Sequence, residues 1–150
     1  RADGGDGARH ARTRAPLKAA DSSVVIAGFA SWHGAHEAAR RALDGGPHLI
    51  DHCALETYSV LTRLPPPHRV AVELVRDFLE SRFPQAYLRL DEPAFRAFVA
   101  GLAHHGITGG GVYDALVAAT AAAHSAELLT CDRRARAIYE RYGLSVKLVA

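Results

Sequence analysis

Leu17-Lys18-Ala19-Ala20-Asp21-Ser22-Ser23-Val24-Val25-Ile26-Ala27 reads as a strand, a turn and the start of a helix. Leu17–Ala20 is short and apolar, and Asp21-Ser22-Ser23 ends it. Asp and Ser side chains accept hydrogen bonds from the unpaired N–H groups of a helix's first turn, so their position predicts a helix entry. The apolar run that follows then reads as a helix over Val24–Ala30.

The same alternation continues outward from this unit. His36–Leu43 reads as a second helix, separated from the first by a break near Gly34. Gly45-Gly46-Pro47 forms a turn and His48–Asp51 a second short strand. Ala54–Leu64 reads as a helix stopped by Pro65-Pro66-Pro67. Ala71, Leu74, Val75, Phe78 and Leu79 fall on one face of a further helix, which Pro84 ends. Ala86–Leu90 reads as a strand. Phe95, Phe98, Val99, Leu102 and Ala103 repeat the helical spacing up to Gly106. Gly109–Gly111 is a loop. Val112–His124, rich in alanine, is a helix that can approach its neighbours closely and so belongs near the centre. Leu128–Thr130 is a strand, Arg133–Tyr142 a helix closed by Gly143, and Ser145–Val149 the last strand. Strands separated by helices imply crossover connections and an α/β fold with a central, mostly parallel sheet flanked by helices.

Upstream of Leu17, residues 1–16 are rich in Gly, Arg and Asp and lack an apolar period. They read as a disordered leader or a vector remnant, leaving residues 17–150 as a single domain. The chain has 150 residues, 49% of them hydrophobic, with a formal net charge of +2. That suits one ordinary core, and the mild basic balance permits an acidic partner such as RNA without demanding one. The two cysteines form no CxxC pattern, which fits a reducing, cytoplasmic setting. No apolar run reaches the length of a membrane span, so no membrane partner is expected.

Four carboxylates stand out on this map. Asp21 ends the first strand and Asp132 follows the Leu128–Thr130 strand. Asp114 lies in the first turn of the alanine-rich helix, and Glu56 is expected in the first turn of the helix over residues 54–64. In open parallel sheets ligands bind outside the carboxyl ends of the strands, where helices also begin. Acids gathered there repel each other unless a cation compensates. Hard oxygen donors suit Mg²⁺ or Mn²⁺, and such ions support phosphodiester cleavage.

Residues 21–27 resemble the first motif of PIN domains. His52–Pro65 is similar to the glutamate-bearing helix of VapC-type toxins, Tyr113–Ala121 to their third motif and Leu129–Ala135 to their fourth. The order and approximate spacing agree across residues 17–149. The resemblance implies a PIN-like three-layer fold and an endoribonuclease dependent on Mg²⁺ or Mn²⁺. It implies that Asp21, Asp114 and Asp132 ligate the metal and that Glu56 holds a water or a second ion. Ser23 and Thr130 match hydroxyl positions that support the family's site. It further implies an RNA substrate, a VapB-like antitoxin and a homodimer. Two departures concern the start of the fold: the leader is long, and the first strand lacks Val and Ile.

Arg133 and Arg134, directly after Asp132, are the expected RNA contacts, with Arg63 and Arg69 as further rim candidates. His48 and His52 stand four apart, but a strand-to-helix break between them argues against a zinc pair. Cys131 reads as an inert, buried thiol. Ser22 and Ser23 lack a G-x-S-x-G elbow, Gly109–Gly111 lacks the ending of a phosphate-binding loop, and Asp21-Ser22-Ser23 lacks the second Asp of an aspartyl phosphatase. The alternative function is a PIN-like protein that binds RNA or a partner without cutting.

Overall fold

The computed structural model describes residues 15–150. The expected leader over residues 1–16 therefore lies outside the described residues except for Ala15 and Pro16. The chain opens with β1 (Lys18–Ala20) and α1 (Ser22–Phe29). Asp21 is the N-cap, its side chain accepting from the Val24 N–H at 3.2 Å. The helix thus starts two residues before the apolar run, at the position its cap dictates. It then buries Val24, Val25, Ala27 and Gly28. A β-carbon at Gly28 would stand 2.4 Å from Leu43, so glycine lets α1 lie close against α2 (His36–Asp44).

The remaining elements are β2 (His48–Leu49), α3 (Asp51–Arg63), α4 (Val72–Arg82), α5 (Glu92–Gly101), α6 (Gly111–Ala123), β3 (Glu127–Thr130), α7 (Arg136–Glu140) and β4 (Val146–Leu148). The four strands form one sheet in the order β2-β1-β3-β4, with every pairing parallel. Together with the flanking helices this makes a three-layer α/β fold. Ala20 pairs with Leu49 on one side and Leu129 on the other, and all three are buried. From β1 the chain first builds outward to β2, and later returns to place β3 on the opposite side. The strand order therefore reverses between β1 and β3, and the carboxyl edge at such a reversal is where open parallel sheets bind ligands. Asp21 and Asp132 follow the two strands that flank it.

Several boundaries depart from the sequence reading. The expected strand over residues 86–90 is a single bridge between Leu88 and Ile50. Leu88 donates to Leu49 O at 2.8 Å and accepts from Asp51 N at 3.0 Å. Pairing stops there because its neighbour turns into α3 at Asp51, three residues earlier than expected. Glu56 consequently lies in the second turn of α3 rather than the first. α5 ends at Gly101, a poor helix former, and turns carry the chain on to Gly106 at φ +64°. α7 begins at Arg136 because Asp132 Oδ1 accepts from the backbone of Arg134 (2.8 Å) and Ala135 (3.2 Å), holding residues 133–135 as a turn. Gly143 has the expected left-handed conformation, at φ +68°.

Two predicted apolar faces are only partly covered. On α4, Val75 and Leu79 are buried while Leu74 stays exposed; on α5, Phe98 is buried while Phe95 and Val99 stay exposed. The alanine-rich α6 behaves as expected, with Ala115, Val117, Ala118, Thr120 and Ala121 buried. Among the described residues no helix is long and apolar enough to cross a membrane.

Candidate functional site

Asp21 is only 2% exposed, so its carboxylate needs partners from the protein. Its Oδ1 accepts from the Val24 N–H and the Ser23 hydroxyl, and its Oδ2 accepts from the Tyr139 hydroxyl at 3.0 Å. Burial pushes the Asp21 carboxyl pKa up, while the donors from Ser23, Thr130, Tyr139 and Val24 pull it back. Burial and the neighbouring Asp21 charge both raise the Tyr139 hydroxyl pKa, which keeps it a neutral donor.

Ser23 and Thr130 join the loops that leave β1 and β3. The Ser23 hydroxyl accepts from Cys131 N at 2.8 Å and lies 3.3 Å from the Thr130 hydroxyl. Thr130 in turn accepts from Asp132 N at 2.9 Å. These bonds fix where the backbone of Asp132 emerges relative to Asp21. The two backbone bonds to the Asp132 side chain both go to Oδ1, and among the described residues none goes to Oδ2.

Asp114 enters from the first turn of α6 and is half-buried. Its pKa is raised first by burial, then by the charges of Asp132, Glu56 and Asp21. That dependence brings all four acids into one electrostatic neighbourhood. Glu56 faces it from α3, where His52 Nε2 lies 3.3 Å from Glu56 Oε2. The His52 hydrogen bond holds the Glu56 carboxyl below its ordinary range, and the same bond raises the His52 pKa. The His52 ring also stacks on Tyr113, with centroids 5.3 Å apart and planes within 4°. His52, Glu56, Tyr113, Asp114 and Arg63 line an open cleft of about 540 Å³.

All four predicted acids therefore lie along the same edge of the sheet, with Ser23 and Thr130 between two of them. Arg133 and Arg134 are exposed immediately beyond Asp132. Burial pushes the Cys131 thiol up to about 11, so it stays protonated near neutral pH. His48 sits in β2 and His52 in α3, and the latter is engaged by Glu56 rather than paired with His48.

Sequence reasoning missed two contributors. His52 was weighed only against His48, although its spacing of four from Glu56 on one helix was a usable signal. Tyr139 left no local signal, because its partner Asp21 is 118 residues away.

The donor set is oxygen-rich and anionic, as Mg²⁺ or Mn²⁺ requires. Among the described residues, however, no three His, Cys, Asp or Glu side chains stand close enough together to hold an ion. The acids are near enough to raise one another's proton affinity but are not drawn onto a common point. A divalent cation would compensate the charge that these carboxylates gather there. The residues thus fit such a cation in charge and donor chemistry.

Residues 19–141 match the PIN domain. The chain is 55% identical to ribonuclease VapC40 of Mycobacterium tuberculosis over 131 residues, covering 87% of this chain and 98% of the relative. It is 43% identical to ribonuclease VapC27 of the same organism, covering 90% of this chain and 98% of that one. Among solved structures, FitAcB from Neisseria gonorrhoeae superposes with a TM-score of 0.64 at 18% identity, over 87% of this chain and 96% of that chain. FitAB bound to the IR36 DNA fragment superposes with a TM-score of 0.67 at 19% identity, over 88% and 94% respectively. The two superpositions concern the fold alone.

Proposed function

The chain belongs to the PIN-domain family, and from that premise we propose that it is an Mg²⁺- or Mn²⁺-dependent endoribonuclease of the VapC type. The observation that carries this reading is the placement of Asp21 and Asp132 just past the adjacent strands β1 and β3, tied together through Ser23 and Thr130, with Asp114 in the first turn of α6. Acids from four separate stretches of chain are distributed along the carboxyl edge of the sheet, where a parallel α/β fold binds its ligand. The ribonuclease names of the curated relatives support the same activity.

Asp21, Asp114 and Asp132 are the residues assigned to hold the cation, with Glu56 beside them. When bound, such a cation supplies activation of water and stabilisation of the charge that develops on the scissile phosphate. The protein's own residues do the positioning. Ser23, Thr130 and Tyr139 hold the Asp21 carboxylate and the loop carrying Asp132. Glu56, hydrogen-bonded to His52, is assigned to hold a water or a second ion beside the three aspartates. Arg133 and Arg134 extend past Asp132 and contact the RNA backbone, so binding weakens as salt rises. The reading includes a VapB-type antitoxin and a homodimer, for which the exposed apolar residues of α3 and α4 (Leu55, Tyr58, Val72 and Leu74) offer surface.

The test is RNA cleavage by the Asp114→Asn protein in Mg²⁺. Loss of one charged cation-holding carboxylate should lower the rate by several kcal/mol of barrier, on the order of a thousand-fold. Undiminished cleavage would remove Asp114 from the site. A wild-type chain that binds RNA but cuts no faster in Mg²⁺ than in EDTA would be the non-cleaving alternative instead.

A further inference from the structure

The cleft beside the acids carries an aromatic surface that phosphodiester cleavage itself does not require. Tyr113 directly precedes Asp114 on α6, and it is 59% exposed although it is a large, partly apolar ring. Its position is fixed rather than loose. His52 stacks against it nearly in parallel, and the other end of that imidazole is held by Glu56 at 3.3 Å. Two elements, α3 and α6, therefore clamp a flat ring pair at the mouth of the cleft. Gly110 lines the same cleft and, having no side chain, leaves the approach to Tyr113 open. Arg63 and Ser59 stand along the α3 wall, offering a cation and a hydroxyl. The volume of about 540 Å³ lies within the range of small-ligand sites and has room for a single nucleotide.

Every nucleobase presents a flat π-face, and exposed Tyr and His rings are the usual platforms for unpaired bases. A base inside a duplex has no free face to offer. We propose that Tyr113, backed by His52, is a stacking subsite for one unpaired base of the RNA, next to the acids. Arg63 faces the phosphate of that same nucleotide. This rests on the ribonuclease reading, which the comparison of wild-type cleavage in Mg²⁺ and EDTA judges separately.

The experiment measures binding in the cleavage-blocked Asp132→Asn protein by fluorescence anisotropy. The probes are octauridylate and an abasic ribose-phosphate chain of the same length and charge. Adding Tyr113→Ala should weaken octauridylate binding roughly ten-fold and leave the abasic chain unchanged. Adding Tyr113→Phe instead should stay within about two-fold of the parent, because the ring is kept. No loss, an equal loss on both probes, or no measurable octauridylate binding by the parent protein would overturn the subsite. An effect confined to the affinity for a protein partner would likewise overturn it and assign the ring pair to a protein contact.

Discussion

Asp21 and Glu56 belong to the same acidic cluster, yet the molecule holds them in opposite ways. Asp21 is sunk in the core and receives hydrogen bonds from its own turn and from Tyr139 of α7. Glu56 is half-exposed, and its main partner is His52, one turn away on the same helix. The Asp21 side is assembled by long-range contacts and exists only when the whole sheet is folded. The Glu56 side is assembled mainly within one helix, with Ser22 of α1 as a further partner, and is completed by the first turn of α6. One half of the site is thus part of the fold's stability, while the other sits on top of it.

The sharpest way to break this contrast is to truncate Asp21. Asp21→Ala removes the α1 cap and leaves the buried Tyr139 hydroxyl without its acceptor. The expected loss is about 2–4 kcal/mol in urea unfolding, together with loss of cleavage. A stability change as small as that of a surface mutant would mean that Asp21 is not integrated as described. Tyr139→Phe deletes one hydrogen bond to the same carboxylate, and should cost about 1–2 kcal/mol. It should also raise the Asp21 pKa further, so that at mildly acidic pH a higher Mg²⁺ concentration is needed for half-maximal cleavage.

Titration separates the two halves again. Asp21 and Asp114 have raised pKa values in the folded state, so the fold retains their protons longer than the unfolded chain does. Their contribution to the metal-free protein is therefore greatest at low pH and is lost as pH rises through the raised values. Divalent cation should flatten that decline, and urea titrations with and without Mg²⁺ at several pH values would show it. The two members of the His52–Glu56 pair have signs opposite to each other. Its His share is full below the ordinary His value and lost as pH rises through the raised one. Its Glu share is full above the ordinary Glu value and lost as pH falls through the lowered one. Because both groups are partly exposed, solvent screens the pair and keeps its share small. The smallest stability effect is that of Glu56→Gln, expected within about 0.5 kcal/mol of wild type while cleavage falls. A large destabilisation there would erase the distinction between the two halves.

The same division decides what was legible in the sequence. Asp21, Asp114 and Asp132 were legible as candidates because each marks a junction between elements, and junctions carry local signatures such as caps and the ends of apolar runs. The parallel sheet followed from the alternation of those runs. The strand expected at residues 86–90 failed because pairing depends on the partner's length, and the partner ends at Ile50. The start of α3 was misplaced for the related reason that Asp51 reads equally well as a strand end or a helix start. Tyr139 could not be seen, since nothing near it in sequence encodes Asp21. The exposure of Leu74 and Phe95 was also hidden, because helical spacing reports an apolar face but not what covers it.

The central claim is that Asp21, Asp114 and Asp132 hold a divalent ion beside Glu56. Calorimetric titration of Mn²⁺ into the metal-stripped chain tests it without relying on cleavage. Saturable binding by the wild type, largely abolished by Asp114→Asn and retained by Tyr113→Phe, is the predicted result. Binding unaffected by Asp114→Asn, or none in the wild type, would contradict it.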